Sequence, residues 1–284
     1  VSTTTDDLVI FLEGSGTPVP LHDAAVNAAD LALTRGDGIF ESIGVIDGRF
    51  IALPEHLARL AHSAALLDLP EPDLAAFEAA ARAGAKAHPA ASELLVKLFY
   101  SRGIEGAGRP SGWVQVLSGP DHSAARRDGI RVVTLDRGYR HDVAQTSPWL
   151  LQGAKTLSYA VNKSALREAA RRDADDVIFM STDDVVLEGP TANVVVRHGD
   201  LFRTPRTDLG ILAGTTQGAM FATLGELGYE TADAALSYSE LASADAIWLC
   251  SSGRLLAPVR TLDDRPIPVD TALTATLLTR TFGV

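Results

Sequence analysis

An eight-residue extended run, Ile39-Phe40-Glu41-Ser42-Ile43-Gly44-Val45-Ile46, is closed by Asp47-Gly48 and gives way within a few residues to helical spacing. Asp-Gly after such a run is a hairpin signal, because a tight two-residue turn needs left-handed backbone that these residues tolerate. From Pro54-Glu55 onward, Leu57, Leu60, Ala61, Ala64 and Leu67 recur at helical spacing, and the alanine-rich stretch from Asp73 to His88 has a comparable period. Extended runs return at 94–100, 113–117 and 130–135, and Leu8 to Leu12 reads as another. Strands, then helices, then strands, without regular βαβ alternation, predict an α+β fold.

With 284 residues the chain can hold two ordinary domains. The stretch from Asp136 to Pro148 turns polar and irregular, with Gly138, Gln145, Thr146, Ser147 and Pro148, and is the best linker candidate. The expected division is therefore a first domain over 1–135, a linker over 136–148 and a second domain over 149–284. Within the second domain the pattern predicts a helix near 163–172, strands at 176–180 and 194–196 around an Asp183-Asp184 turn, and a helix at 216–227. A strand at 246–250 and a last helix near 271–280 follow, and no internal repeat is visible.

Hydrophobic residues at 46% and charged residues at 21% suit a globular protein with a substantial core. A net charge of -11 argues against a nucleic-acid partner, since such binding draws on Lys and Arg neutralising phosphates. The single Cys250 has no disulfide partner and sits in the apolar run Ala246 to Cys250, which reads as core packing in a reducing cytosol. Residues 1–7 carry no positive leader pattern, and no apolar stretch approaches the roughly 20 residues that span a bilayer. The expectation is a cytoplasmic protein with a short frayed tail and no membrane partner.

Lys155 opens the run Lys155-Thr156-Leu157-Ser158-Tyr159 among small and apolar neighbours, and Glu188 lies downstream between Leu187 and Gly189-Pro190. Both read as partly buried. A desolvated lysine is a better nucleophile and proton carrier, and it can hold an aldehyde cofactor as an imine. A carboxylate can keep a pyridine nitrogen protonated so that the ring withdraws electrons, and the pair points to pyridoxal 5′-phosphate. Three other segments belong with it. Arg35-Gly36-Asp37-Gly38 leads into the strand carrying Phe40 and Glu41, and His56-Leu57-Ala58-Arg59-Leu60 supplies a guanidinium whose planar donors suit phosphate. Gly210 to Gln217 is a glycine-punctuated loop running into a helix, where backbone N–H groups can hold an anion. Other templates fail: there is no GxGxxG, no Walker lysine, no HExxH or Cys/His metal cluster and no Gly-x-Ser-x-Gly elbow.

Over about residues 20–265 these segments, in this order, resemble the class IV aminotransferase family of fold-type IV pyridoxal phosphate enzymes. The family includes branched-chain aminotransferases, D-amino-acid aminotransferases and 4-amino-4-deoxychorismate lyases. The resemblance implies a two-domain fold with Lys155 as the catalytic lysine, Glu188 facing the pyridine nitrogen and Arg59 on the phosphate. It further implies Gly214, Thr215 and Thr216 as a phosphate cup, Ser252 near the phosphate, and Tyr159 donating to the cofactor's phenolic oxygen, with His56 structural.

Both chemistries use this core, so the substrate pocket decides between them. Arg109, in the loop after the strand at 94–100, resembles the lid arginine with which lyases and D-amino-acid enzymes bind carboxylate. Ser42 stands where some lyases have threonine. A loop arginine suits a polar acid better than a branched aliphatic chain, which ranks the lyase of folate biosynthesis first, D-amino-acid transamination next, and branched-chain transfer lower. A cofactor-binding protein without catalysis is the reading from another class, opposed by the intact Lys155, Glu188 and Arg59. Family membership also implies a homodimer acting on a small amino-acid or aminodeoxychorismate substrate.

Overall fold

The structure, a computed structural model, describes residues 4–14, 16–89 and 91–284. Two units emerge: one runs to Pro120 and takes back Ala154–Tyr159, and the other comprises Asp121–Gly153 and Ala160–Val284.

The first unit is built on six strands, β1 (Leu8–Phe11), β2 (Val19–Pro20), β3 (Gly38–Ile46), β4 (Arg49–Phe50), β5 (Glu93–Ser101) and β6 (Ser111–Ser118), in the order β2-β1-β6-β5-β3-β4. Every pairing is antiparallel, and β3 and β5 match over nine residues from Gly38 opposite Ser101 to Ile46 opposite Glu93. The predicted Asp47-Gly48 hairpin joins β3 to β4, both residues having positive φ. A short helix α1 (Leu31–Thr34) is capped by the Asp30 carboxylate. Helix α2 (Leu53–Leu66) buries Leu53, His56, Leu57, Arg59, Leu60, Ser63 and Ala64, a stripe at helical spacing that packs on β3 and carries two ionisable side chains into the core. Helix α3 (Leu74–Ala87) is capped by Asp73, and Gly84 lets it approach the sheet: a Cβ there would come 2.7 Å from Val116 Cγ2.

The second unit contains strands β7 (Ile130–Asp136), β8 (Asp176–Met180), β9 (Asn193–His198), β10 (Leu201–Pro205), β11 (Glu230–Ala234), β12 (Ala246–Ser251), β13 (Leu255–Leu262) and β14 (Arg265–Pro266). They form one mixed sheet in the order β11-β10-β9-β12-β13-β7-β8, with β14 on β13. Helices α4 (Ser123–Asp128), α5 (Val143–Thr146), α6 (Ala160–Arg171), α7 (Thr215–Glu226), α8 (Tyr238–Ala242) and α9 (Thr271–Leu277) complete it. Its core gathers Ile178, Val194, Val196, Ile247, Leu249, Ala257 and Val259, all essentially inaccessible. Trp248 is fully buried and donates through Nε1 to Thr274 Oγ1 at 2.9 Å.

Four expectations change. The chain passes to the second unit at 120–121 rather than within 136–148, because β7 pairs in parallel with both β8 and β13. The 136–148 stretch is not a free linker: Arg137 N donates to Met180 O, Gln145 Nε2 to Asp208 O, and residues 143–146 are helical. Residues 1–3 of the expected frayed tail lie outside the described residues. Thr4 to Asp7 form an anchored turn in which the buried Asp7 carboxylate accepts from Thr4 N and Ser118 N. The final helix ends at Leu277 and continues as a wider turn over Leu278–Phe282.

Candidate active site

Strand alternation on β3 separates two sets of side chains. Phe40 and Ser42 are half-buried, whereas Glu41 between them has no exposure and faces α2 with Ile39 and Ile43. Arg59 donates from Nε to Glu41 Oε1 at 2.7 Å and from Nη2 to Oε2 at 2.8 Å. His56 Nδ1 lies 2.7 Å from Oε2, and because an ionised carboxylate only accepts, the tautomer assigned to His56 carries its proton on Nδ1. Burial pushes the Glu41 carboxyl upward, but the Arg59 hydrogen bonds and then His56 overcome it and hold the group at about 2. Burial pushes His56 below its ordinary value; Arg59 and Lys155 push the same way and Glu41 opposes them, so His56 is neutral at pH 7. His56, expected to be structural, is buried against Glu41. Glu41 is the residue that sequence reasoning passed over, although a carboxylate in phase with Ile39 and Ile43 was its signal.

Lys155 reaches this cluster through the backbone. Phe40 N donates to Lys155 O at 3.0 Å, Leu157 N donates to Gly38 O at 2.8 Å, and Ile39 and Thr156 form an isolated bridge, so the lysine segment lies along the start of β3. Lys155 N also donates to Ser63 Oγ of α2 at 3.1 Å. Gly38 makes the approach possible: a Cβ there would sit 2.7 Å from Tyr100 O and 2.8 Å from Leu157 Cδ1. The half-buried Lys155 places Nζ 4.6 Å from the Phe40 ring centroid, within cation–π range, and Tyr159 packs edge-on against the same ring at 5.2 Å. Lys155, Tyr159, Phe40, Glu41, His56 and Arg59 are therefore brought together, with Ser42 on the Phe40 face of the strand.

Arg109 stands apart in the first unit. It is exposed on the loop between β5 and β6 and lines a cleft of about 1010 Å³ with Arg35, Asp37, Arg102 and Glu105, which Lys155 does not line.

The second unit carries the remaining predicted residues. Glu188 is half-buried and its Oε2 accepts from Leu212 N at 3.1 Å. Asn193, also unanticipated, donates from Nδ2 to Leu212 O at 2.7 Å and tethers the same loop. The loop then enters α7, whose N-cap Gly214 has no side chain to satisfy the first-turn N–H groups. Thr215 and the buried Thr216 follow, so the helix start presents donors and hydroxyls suited to an anion. Ser252 occupies the turn between β12 and β13, which Arg126 grips by donating from Nε to Arg254 O at 3.0 Å and from Nη2 to Gly253 O at 3.4 Å. Arg254 in turn pairs with the buried Asp176. Taken unit by unit, the first offers a primary amine and an arginine held on one edge, and the second a helix N-terminus and a backbone-tethered carboxylate; each is a group whose chemistry suits a phosphorylated pyridine aldehyde.

The amino-transferase class IV family model matches residues 38–262. The chain belongs to the class IV aminotransferases. The family enzyme is dependent on pyridoxal 5′-phosphate. This class IV aminotransferase is 46% identical over 275 residues to the bifunctional aminodeoxychorismate lyase / D-amino acid transaminase of Mycobacterium tuberculosis, covering 92% of this chain and 93% of the relative. Among solved structures it is similar to the fold IV-transaminase CpuTA1 of Curtobacterium pusillum, at 54% identity and a TM-score of 0.93 over 98% and 99% of the two chains. A Mycobacterium tuberculosis aminotransferase in its PLP-bound form matches at 42% identity and a TM-score of 0.92, over 97% and 99%. The expected α+β, fold-type IV architecture is thereby established, and no helix among the described residues is long and apolar enough to cross a membrane.

Proposed function

We propose that this enzyme is an aminodeoxychorismate lyase, eliminating pyruvate to give 4-aminobenzoate, and that the same site transfers amino groups between D-amino acids and 2-oxo acids. The observation that carries the reading is the identity with the bifunctional mycobacterial relative, spread over nearly the whole of both chains. The set Lys155, Arg59 and Glu188 supports catalysis over passive cofactor binding. We read the protein as a cytoplasmic homodimer serving folate biosynthesis.

Bound pyridoxal phosphate supplies an electron-withdrawing ring that stabilises negative charge at the substrate's α-carbon. Lys155 would hold the aldehyde through Nζ, and the residues proposed for the phosphate are Arg59, Gly214, Thr215, Thr216 and Ser252. Glu188, its carboxylate aimed by Leu212 N, would keep the ring nitrogen protonated, and Tyr159 would donate to the phenolic oxygen. The Lys155 amine would take the substrate's α-proton at Nζ. In elimination Nζ would return that proton to the methylene of the departing pyruvate, and in amino transfer the same Nζ would hold and redeliver it. Ser42 would orient the substrate through its hydroxyl, and Arg109 would supply the guanidinium for a substrate carboxylate, although within this chain it lines a cleft that Lys155 does not.

Purified enzyme offered aminodeoxychorismate should release 4-aminobenzoate, followed by its fluorescence, and excess D-alanine without oxygen should convert the cofactor's absorption to that of pyridoxamine phosphate. No 4-aminobenzoate with rapid D-alanine turnover would leave a transaminase alone; neither reaction would refute the assignment.

A further inference from the structure

We propose that Glu41 is the positioning residue for phosphate recognition: it fixes the orientation of the Arg59 guanidinium, and His56 fixes Glu41. The inference rests on the reading of Arg59 as the phosphate-binding arginine.

Glu41 occupies a position that β3 otherwise reserves for apolar side chains. Its neighbours on the same face, Ile39 and Ile43, are as fully buried as it is. Removing a carboxylate from water is costly unless its oxygens are satisfied by well-placed donors. Here both are: Oε1 accepts from Arg59 Nε, and Oε2 from Arg59 Nη2 and His56 Nδ1. The two arginine bonds come from one edge of the guanidinium and reach different carboxylate oxygens, the fork-to-fork geometry that fixes the plane as well as the distance. With Nε and one Nη2 hydrogen committed to Glu41, the directions of the other Nη2 hydrogen and of Nη1 are set with them.

His56 and Arg59 lie one turn apart on α2, so the helix delivers both donors to the same carboxylate, and both side chains are at least nine-tenths buried. An arginine left to its own rotamers would give up side-chain entropy on binding phosphate. Glu41 removes that freedom in advance and sets the direction of the remaining donors relative to the strand bearing Phe40 and Ser42. The arrangement also explains why a strand so close to the lysine segment carries a charge on its core face.

The test is cofactor affinity of the full-length protein for two probes, pyridoxal 5′-phosphate and its phosphate-free counterpart pyridoxal, measured for wild type, Glu41→Gln, Arg59→Ala and the double variant. Gln keeps the shape of the side chain and one acceptor while losing the charge and the second acceptor. Glu41→Gln should weaken pyridoxal phosphate binding by about tenfold or more, as expected for loss of charge-assisted hydrogen bonds, and leave pyridoxal binding within about twofold. In the Arg59→Ala background the same substitution should have no further effect on the preference for the phosphorylated probe.

Equal weakening of both probes, or an undiminished effect without Arg59, would overturn the positioning role. If Arg59→Ala itself preserves the preference for the phosphorylated probe, the phosphate reading falls and this inference with it. His56→Asn provides a second variant that keeps a donor near the Nδ1 position: it should retain the preference, whereas His56→Leu should reduce it in the direction of Glu41→Gln. Equal affinities for these two variants would remove His56 from the arrangement.

Discussion

Replacing Gly214 by alanine tests whether the start of α7 is shaped by close packing. The backbone poses no obstacle, since Gly214 has φ −78 and ψ 116, which alanine adopts freely. The obstacle is space. A Cβ at this position would fall 2.2 Å from Asn193 Oδ1, 2.7 Å from its Cγ and 3.1 Å from Gln217 Cβ. Asn193 is buried, and its amide nitrogen donates to Leu212 O at 2.7 Å, so the amide cannot swing away without giving up that bond. Overpacking of this kind costs about 1–3 kcal/mol, and a hydrogen bond lost on the way adds about 1 kcal/mol. The expected destabilisation is therefore roughly 2–4 kcal/mol, with cofactor affinity reduced because the Leu212 segment also aims Glu188.

Urea unfolding of the cofactor-free protein, with the midpoint and slope compared between wild type and variant, measures the loss. The decisive control is Asn193→Ala, which removes the atoms that the new methyl group meets. In that background Gly214→Ala should cost less than about 1 kcal/mol, the residue of a weaker N-cap. A Gly214→Ala protein within about 0.5 kcal/mol of wild type would refute the packing argument, as would an equal cost with and without Asn193.

Acid should destabilise the protein in two steps of the same sign. The folded His56 titrates below its ordinary 6.5, so the unfolded chain takes up that proton first and stability starts to fall as pH drops through 6.5. The Glu41 carboxyl is held at about 2 against an ordinary 4.5, so its contribution is complete above 4.5 and is lost as pH falls from there toward 2. A urea midpoint unchanged between pH 6.5 and 5 would contradict the buried neutral His56, and His56→Gln should flatten that upper limb. Lys155→Ala should abolish both proposed reactions while leaving the unfolding midpoint of the cofactor-free protein nearly unchanged; residual turnover comparable to wild type would exclude Lys155 as the proton carrier. Cys250 is fully buried and burial pushes its thiol up to about 12, so an aromatic disulfide reagent should label it only as fast as the protein opens, and immediate labelling in native buffer would contradict the packing.

The elements that could be read from the chain are those whose signal is local. In β3, α2 and α3 apolar residues recur with a clear period, and β8 is a short continuous apolar run, so their positions follow within a residue or two. The strands that escaped notice lack that signal for identifiable reasons. In β11, Glu230 to Ala234, the strand is exposed or half-exposed throughout and exists because β10 pairs with it in parallel. Strand β13 is central yet contains Pro258, a residue that argues against a central strand. It is tolerated because registered pairing with β7 begins at Val259, one residue beyond the proline, and is irregular there.

The same distinction governs the site. Lys155, Glu188 and Arg59 could be picked out because amine, carboxylate and guanidinium stand in segments that resemble the family's motifs in their order. What no local pattern announces is that residues 154–159 leave the unit on either side of them in sequence and pair with the start of β3. That return places Lys155 Nζ against the ring of Phe40, while the neighbouring Glu41 points the opposite way into α2. The linker expectation failed for the same reason: polar, glycine-bearing sequence marks irregular backbone, but only the long-range bonds from Arg137 and Gln145 reveal that the irregular stretch is fastened. Period-2 alternation on a single strand thus bears two duties at once, and a substitution at Glu41 and one at Phe40 should have separable effects, on phosphate recognition and on the lysine respectively, although the residues are adjacent in the chain.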